Sequence, residues 1–149
     1  MMGIPMLGSR HTWLAGAFFV LFAALYLTTV PTIAYQHWDS LEYGWICETF
    51  GPQLTWGNHP LGQVVQCGAF EAVRAVGYTG RALTVLTTAS ALAAAGALAT
   101  FFTLLTGALG IPTSRAMGWT VVLGSTYGLW HYAGTADIYG VSLFALLLA

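Results

Sequence analysis

The sequence predicts an all-α, polytopic membrane protein with three to four transmembrane helices and short interfacial helices in its first outer loop. Hydrophobic residues make up 57% of the 149-residue chain and charged residues only 6%, whereas a soluble domain usually has about 25% charged residues. Residues 13–35 and 82–109 carry no charge, and about 20 apolar residues suffice for a helix that crosses a bilayer. The net charge of −1, with no lysine, argues against nucleic acid as a partner, because nucleic acid is bound by basic surfaces.

The first predicted span covers residues 13–35 and follows Arg10. Its apolar run is longer than that of a usual secretory signal peptide, and its last residues form a poor cleavage site. An uncleaved membrane helix is therefore predicted. Pro31 lies near its outer end, where the loss of one backbone hydrogen bond costs less.

Residues 36–80 form the predicted outer loop, which is acidic and aromatic. Residues 39–50 and 61–76 are predicted to form two short interfacial helices because apolar residues recur at helical spacing. Tryptophan favours the membrane–water boundary. The loop contains four of the five acidic residues and three tryptophans: Asp39, Glu42, Glu48, Glu71, Trp38, Trp45 and Trp56.

Cys47 and Cys67 both lie in this loop. In an oxidising compartment the two could form a disulfide. The alternative is a pair of small apolar residues packed at an interface. The sequence leaves both open, because it does not give the geometry that a disulfide needs.

Three apolar segments follow the loop, at residues 82–109, 116–132 and 138–149. In the first of them Ala89, Ala93 and Ala97 are four residues apart, a small-residue face that lets another helix approach closely. In the second, Gly124 and Gly128 form a GxxxG face. The third is still apolar at Ala149, so we expect a single transmembrane domain that is the N-terminal fragment of a longer protein.

Three crossings would place the outer loop and the turn at residues 130–139 on one side of the membrane. Arg10 and Arg115 would then lie on the other side, while Arg74 and Arg81 accompany the acidic loop. The positive-inside rule therefore gives a tie. A plasma (inner) membrane location with the 36–80 loop outside is predicted, because the short end that carries Arg10 is easier to retain in the cytoplasm.

Several polar residues at the ends of the spans are candidates for chemistry. Asp39 and Glu42 share one helical face and are interpreted either as a general base or metal ligands, or as a capping box with Asp39 as the N-cap. His59 precedes Pro60, which holds His59 in an extended conformation. His59 is interpreted either as a phosphate contact or as a hydrogen-bonded turn residue.

Asp137 and Tyr139 lie where the last apolar segment begins. A carboxylate at that depth indicates a functional site, or a helix N-terminal charge that the dipole favours. A divalent cation held by Asp39 and Asp137 is left open, although no histidine spacing resembles a zinc signature.

Three motifs occur in order along the chain, and Arg81 stands between the last two. Together they resemble the N-terminal part of the GT-C superfamily of polytopic glycosyltransferases, in particular a family with an uncharacterised domain that is related to protein O-mannosyltransferases. That family has Trp-Asp-x-Gly/Ser-Glu, Gly-His-Pro-Pro-Gly and Trp-x-x-Ala-x-x-x-Glu-Val-Tyr elements. Leu61 replaces the second proline and Asp137 the glutamate. The motifs here are Trp38-Asp39-Ser40-Leu41-Glu42, Gly57-Asn58-His59-Pro60-Leu61-Gly62, and Trp130 through Ala133 with Asp137-Ile138-Tyr139.

The resemblance implies an inverting transferase that moves a sugar from a polyprenyl-phosphate donor to a protein or glycan hydroxyl at the outer membrane face. Asp39 would be the general base, with Glu42 in support. His59 and Arg81 would lie near the donor phosphate. Asp137 and Tyr139 would line the same cavity, and Asp137 would join a metal in members that use one. The alternative is a non-catalytic membrane protein or a transporter segment, although transporters usually carry their carboxylates near the midplane.

Overall fold

The computed structural model describes residues 9–29, 38–53, 60–136 and 139–149, and every regular element in these ranges is helical. A 3₁₀ turn at Gly51–Gln53 follows α2, and a π-helical turn at Leu104–Ala108 extends α4. The α-helices are α1 (Ser9–Thr28), α2 (Trp38–Thr49), α3 (Pro60–Ala75), α4 (Ala82–Thr103), α5 (Thr113–Gly124), α6 (Tyr127–Gly134) and α7 (Tyr139–Leu148).

Two stretches of the described chain, Arg10–Thr28 and Ala82–Ala108, are helices long and apolar enough, by length and composition, to cross a membrane. The helix Tyr139–Leu148 is apolar but shorter. The all-α fold class is thus confirmed, as is the pair of short helices in the 36–80 loop. The count of three to four crossings stays a prediction.

The predicted span at residues 116–132 is not one continuous helix, because a break separates α5 from α6. Thr126 explains the break. Its hydroxyl donates to the carbonyl of Leu123 at 2.7 Å and accepts from the backbone N–H of Leu129 at 3.5 Å. Threonine side chains compete in this way with the backbone bonds of a helix and favour caps. The helix α1 covers Ser9–Thr28 and so begins four residues before the predicted first span, whose last part, residues 30–35 with Pro31, lies outside the described residues.

The long helix α4 is the centre of the bundle, and α1 packs against it in the opposite direction. The ring of Phe18 lies 5.1 Å from that of Phe102, and both belong to a buried cluster that continues through Phe22, Tyr26 and Leu98. A Cβ at Gly124 would meet both Phe22 and Leu98, which lie one turn after Phe18 and one turn before Phe102, so α1 and α4 are antiparallel.

The helices α5 and α6 together follow the length of α1. His11 Nε2 and Thr113 Oγ1 lie 3.1 Å apart at one end. At the other end the indole N–H of Trp130 donates to Thr29 Oγ1 at 2.7 Å. Between them the hydroxyl of Tyr26 donates to the carbonyl of Gly124 at 2.8 Å.

The helix α7 runs beside α4 in the same direction. A Cβ at Gly140 would lie 3.0 Å from the Ser90 carbonyl oxygen, and one at Gly96 would lie 3.0 Å from the Phe144 ring. The predicted alanine face differs from this contact. Only Ala97 of its three members is buried, while Ala89 and Ala93 are half-buried. The close approach of α4 and α7 is therefore made at two glycines. Gly96 lies on α4, one position from Ala97 of the predicted face, and Gly140 lies on α7.

The helices α2 and α3 form a layer over the beginning of α4, and Ala136 packs into the same buried cluster. Their shared core contains Tyr43, Cys47, Cys67, Phe70, Ala82, Leu86 and Ala136. The described parts of the 36–80 loop and of the 130–139 turn therefore lie at one end of the bundle. We call this end the α2–α3 end.

Replacing Gly124 by alanine should destabilise the bundle by about 2 kcal/mol, because a Cβ there would overlap the Phe22 ring and the Leu98 side chain in a well-packed core. Gly128→Ala is the matched control, since nothing lies within 4 Å of a Cβ at that position. Thermal unfolding in detergent measures both. Equal melting temperatures for the two variants would contradict the packing of α1 against α5.

Candidate functional site

Asp39 and Glu42 lie on α2 at the α2–α3 end, one turn apart. Because α2 begins at Trp38, Asp39 lies inside the first turn and not at the N-cap position that the capping box assigned to it. Its negative charge in the first turn still favours the helix dipole. Asp39 is exposed and Glu42 is half-buried.

A pocket of about 370 Å³ lies on the face of α2 that Glu42 shares with Trp38, Leu41 and Trp45. The two indoles are largely exposed, at 75% for Trp38 and 54% for Trp45. The ring of Phe50 meets that of Trp45 edge-on at 5.5 Å and supports it from behind. We call this the indole pocket. Glu42 thus lines the same pocket as two indole rings.

Arg81, which the resemblance places near the donor phosphate, lies just before α4 and is paired with Glu48. Its Nε donates to Glu48 Oε1 at 2.7 Å, and the backbone N–H of Ala82 donates to the same oxygen at 2.9 Å. The hydrogen bond from Arg81 lowers the pKa of the Glu48 carboxyl, and the Ala82 N–H acts in the same direction. The same pair raises the pKa of Arg81, whose side chain remains 73% exposed.

Glu48 had no role in the sequence analysis, and no local pattern indicated one. Its partner Arg81 is 33 residues away along the chain. The carboxylate satisfies a backbone donor that the first turn of α4 leaves open, since the N-cap residue, Arg81, makes no side-chain capping bond of its own. Glu48 is thus a cap that α2 supplies to the central helix.

Glu48→Ala should lower the free energy of unfolding by about 1 kcal/mol through loss of this cap. The folded state lowers the pKa of Glu48, so its stabilisation is complete at neutral pH and is lost as the pH falls below the ordinary glutamate value of 4.5. Denaturant titrations of wild type and variant at several pH values measure the difference. A gap that stays constant into acid would contradict the cap.

Tyr139 packs on Tyr132, with ring centroids 4.7 Å apart. A row of rings continues along α6 through His131 to Tyr127. Tyr132 and Tyr139 also line an apolar cavity of about 430 Å³ between α5–α6 and α7. The structure thus brings Asp39 and Glu42 together on α2 and sets Arg81 against the last turn of the same helix. Tyr139 joins the aromatic row along α6.

His59 and Asp137, the other two predicted site residues, lie outside the described residues. Within the described ranges, no group of three or more histidine, cysteine, aspartate or glutamate side chains is placed to hold a metal ion. The divalent cation considered from the sequence required Asp137, so that hypothesis is untested.

Buried polar side chains concentrate at the α2–α3 end, and the sequence analysis missed most of them. Ser40 is fully buried and its hydroxyl has no hydrogen-bond partner. In the described chain six of the seven buried polar side chains lie at this end, which makes the interior there polar. The only sequence signal was the place of Ser40 between Asp39 and Leu41 in the first motif. The six are Ser40, Gln63, Gln66, Thr87, Ser90 and Thr135.

Cys47 and Cys67 form a disulfide that joins α2 to α3, with their Cα atoms 4.9 Å apart. Both cysteines are buried in the core of the α2–α3 layer. The sequence left the disulfide and the packed-thiol alternatives open, and the structure has the disulfide. Such bonds persist in oxidising compartments.

No protein-family model, no curated protein and no solved structure matches the chain.

Proposed function

We propose that the chain is the membrane-embedded part of an inverting GT-C-type glycosyltransferase that moves a sugar from a polyprenyl-phosphate donor to a protein or glycan hydroxyl. The observation that carries the proposal is the position of Asp39. Its exposed carboxylate lies on a short helix that packs across the beginning of the central apolar helix, over a polar interior. An aqueous acceptor and a membrane-borne donor can meet at such a place.

The proposal includes a third membrane crossing, made by α5 and α6 together. The two helices and their break span residues 113–134, about 33 Å at 1.5 Å per residue, and they follow α1 from His11 to Thr29. A helix break inside a bilayer requires that its backbone polar groups be satisfied. Here the Tyr26 hydroxyl binds the Gly124 carbonyl, and Thr126 binds that of Leu123.

The disulfide supports an outer position for the α2–α3 end. A plasma (inner) membrane has its oxidising side outside the cytoplasm. One crossing by α1 from a cytoplasmic Arg10 would also place α2 and α3 outside, and a third crossing by α5 and α6 would return the chain to that side. The disulfide thus favours the predicted orientation, which the arginine count alone leaves open.

The proposed reaction is a single displacement. The acceptor oxygen attacks the anomeric carbon and the bond from that carbon to the phosphate oxygen breaks. The electron pair leaves with the polyprenyl phosphate, and the acceptor proton passes to Asp39. Attack on the face opposite the leaving group inverts the anomeric centre. Arg81 lies at the same end and offers positive charge to the departing phosphate, with His59, Asp137 and Tyr139 as further proposed contacts.

The placement of the acidic residues supports this function over ion-coupled transport. The four acidic side chains in the described chain all lie on α2 and α3, outside the two long apolar helices. A transporter usually holds its coupling carboxylates near the bilayer midplane. Carboxylates at the membrane boundary instead fit chemistry on a substrate that enters from water.

A transfer assay in membranes that contain the gene product tests the proposal. The membranes are incubated with a radiolabelled polyprenyl-phosphate sugar and a mixture of hydroxyl-bearing peptides and glycans. Label should pass to an acceptor with the opposite anomeric configuration, as read by NMR. The corresponding nucleotide sugar should give no product in the absence of polyprenyl phosphate. Transfer directly from the nucleotide sugar, or no transfer above membranes that lack the protein, would contradict the proposed donor.

A further inference from the structure

We propose that the indole pocket binds the alkylammonium headgroup of a zwitterionic phospholipid and thereby anchors α2 to the outer leaflet. This inference goes beyond sugar transfer. It concerns Glu42, Trp38 and Trp45, and Asp39 lies on the neighbouring face of α2. It assigns Glu42 a lipid-binding role in place of general support for the base.

The geometry of α2 sets the shape of the pocket. Trp38 and Trp45 are two turns apart, so about 10 Å of helix separates their Cα atoms. Leu41 and Glu42 lie between them and complete the lining. A cation between the two indoles can approach an aromatic face within the roughly 6 Å at which cation–π attraction acts. Phe50 holds the ring of Trp45 in place by its edge contact.

Charge complementarity indicates a cation as the occupant. The helix α2 carries three carboxylates and no basic side chain. Glu48 is already paired with Arg81, whereas Glu42 lines the pocket. An anionic headgroup would be repelled by Glu42, and an acyl chain alone would desolvate its charge without compensation. An ammonium group is attracted both by the carboxylate and by the negative faces of the indoles.

The position of the pocket identifies a membrane lipid as the source of the cation. The opposite face of α2 is buried through Tyr43 and Gly44, and a Cβ at Gly44 would lie 3.5 Å from Leu83, in the first turn of α4. The pocket therefore faces away from the bundle at the level where the long apolar helix begins. Headgroups occupy this level of a membrane, and tryptophan is enriched there.

Tryptophan fluorescence of the chain in polyoxyethylene detergent, which carries neither sugar nor ammonium, tests the inference. Dihexanoylphosphatidylcholine should change the emission saturably, and dihexanoylphosphatidylglycerol of the same chain length should not. Glu42→Gln and Trp45→Leu should each weaken the phosphatidylcholine affinity about fivefold to tenfold. Glu71→Gln on α3 and Trp119→Leu on α5 are the matched controls, and both should bind as the wild type does.

Three outcomes would overturn the inference. Equal responses to the two lipids would exclude an ammonium site. Free choline that binds as tightly as the lipid would make a soluble amine the source. The pocket would instead be a sugar-binding site if a neutral oligosaccharide gave a saturable response that Trp45→Leu abolishes, while phosphatidylcholine gave no response. Far-ultraviolet circular dichroism shows that each variant is folded. None of these readouts depends on sugar transfer, so the proposed function can fail while the lipid site stands.

Discussion

Replacement of Cys47 and Cys67 together by serine is expected to lower the free energy of unfolding by about 3 kcal/mol. The cysteines are 20 residues apart, and a cross-link that closes a loop of this length restricts the unfolded chain by about that amount. The two serines would also place hydroxyls against the buried Tyr43, Phe70 and Leu86 side chains. The α2–α3 layer should therefore loosen from the beginning of α4, while the contact between α1 and the later part of α4 remains.

Denaturant unfolding in detergent measures the effect of the disulfide, with α2 followed by tryptophan emission. A reductant that reaches the buried bond should destabilise the wild type by a similar amount and should leave the double serine variant unchanged. That variant therefore serves as the control for non-specific effects of the reductant. A double variant as stable as the wild type, or a wild type with two free thiols, would contradict the joined layer.

Asp39→Asn is expected to lower the rate of sugar transfer by about two to four orders of magnitude, the usual contribution of a general base. Asparagine keeps the size of the side chain but cannot accept the acceptor proton. Asp39 is exposed in the first turn of α2, so the change should leave the fold intact. Asp39→Glu should retain part of the activity because it keeps the carboxylate and shifts it by one methylene.

Glu71→Gln provides the matched control for Asp39→Asn. Glu71 is another carboxylate of the α2–α3 layer with a partly exposed side chain, and its Oε1 lies 3.3 Å from Arg74 Nη1. Such a surface pair contributes little to stability, and it lies on the helix that carries no proposed catalytic group. Radiolabel transfer in membranes measures all variants. Wild-type rates in Asp39→Asn would remove Asp39 from the reaction.

The length and apolar content of the sequence segments predicted the helical architecture well. The uncharged run at residues 82–109 became α4 with its π-helical turn, because apolar content and length suffice to define a buried helix. The short helices α2 and α3 followed their predicted ranges within about one residue. Periodicity identifies such elements, since one face of each must be buried.

Contacts between distant residues could not be predicted in the same way. The break after α5 depends on the side-chain bonds of a single threonine, Thr126, and the first motif contained no signal that α2 begins at Trp38. Glu48 and Arg81 are paired only because the disulfide-linked layer folds over the start of α4. The buried hydroxyl of Ser40 and the choice of disulfide likewise depend on tertiary packing, which a residue pattern does not record.

Sugar transfer in sealed membrane vesicles of defined orientation tests the central claim most directly, because it joins the position of the α2–α3 end to the chemistry of Asp39. A membrane-impermeant acceptor is added outside vesicles that contain the polyprenyl-phosphate donor. The account predicts labelled product from right-side-out vesicles with the wild type, and almost none from inside-out vesicles or from Asp39→Asn. Product from inside-out vesicles alone, or equal product from wild type and Asp39→Asn, would contradict it.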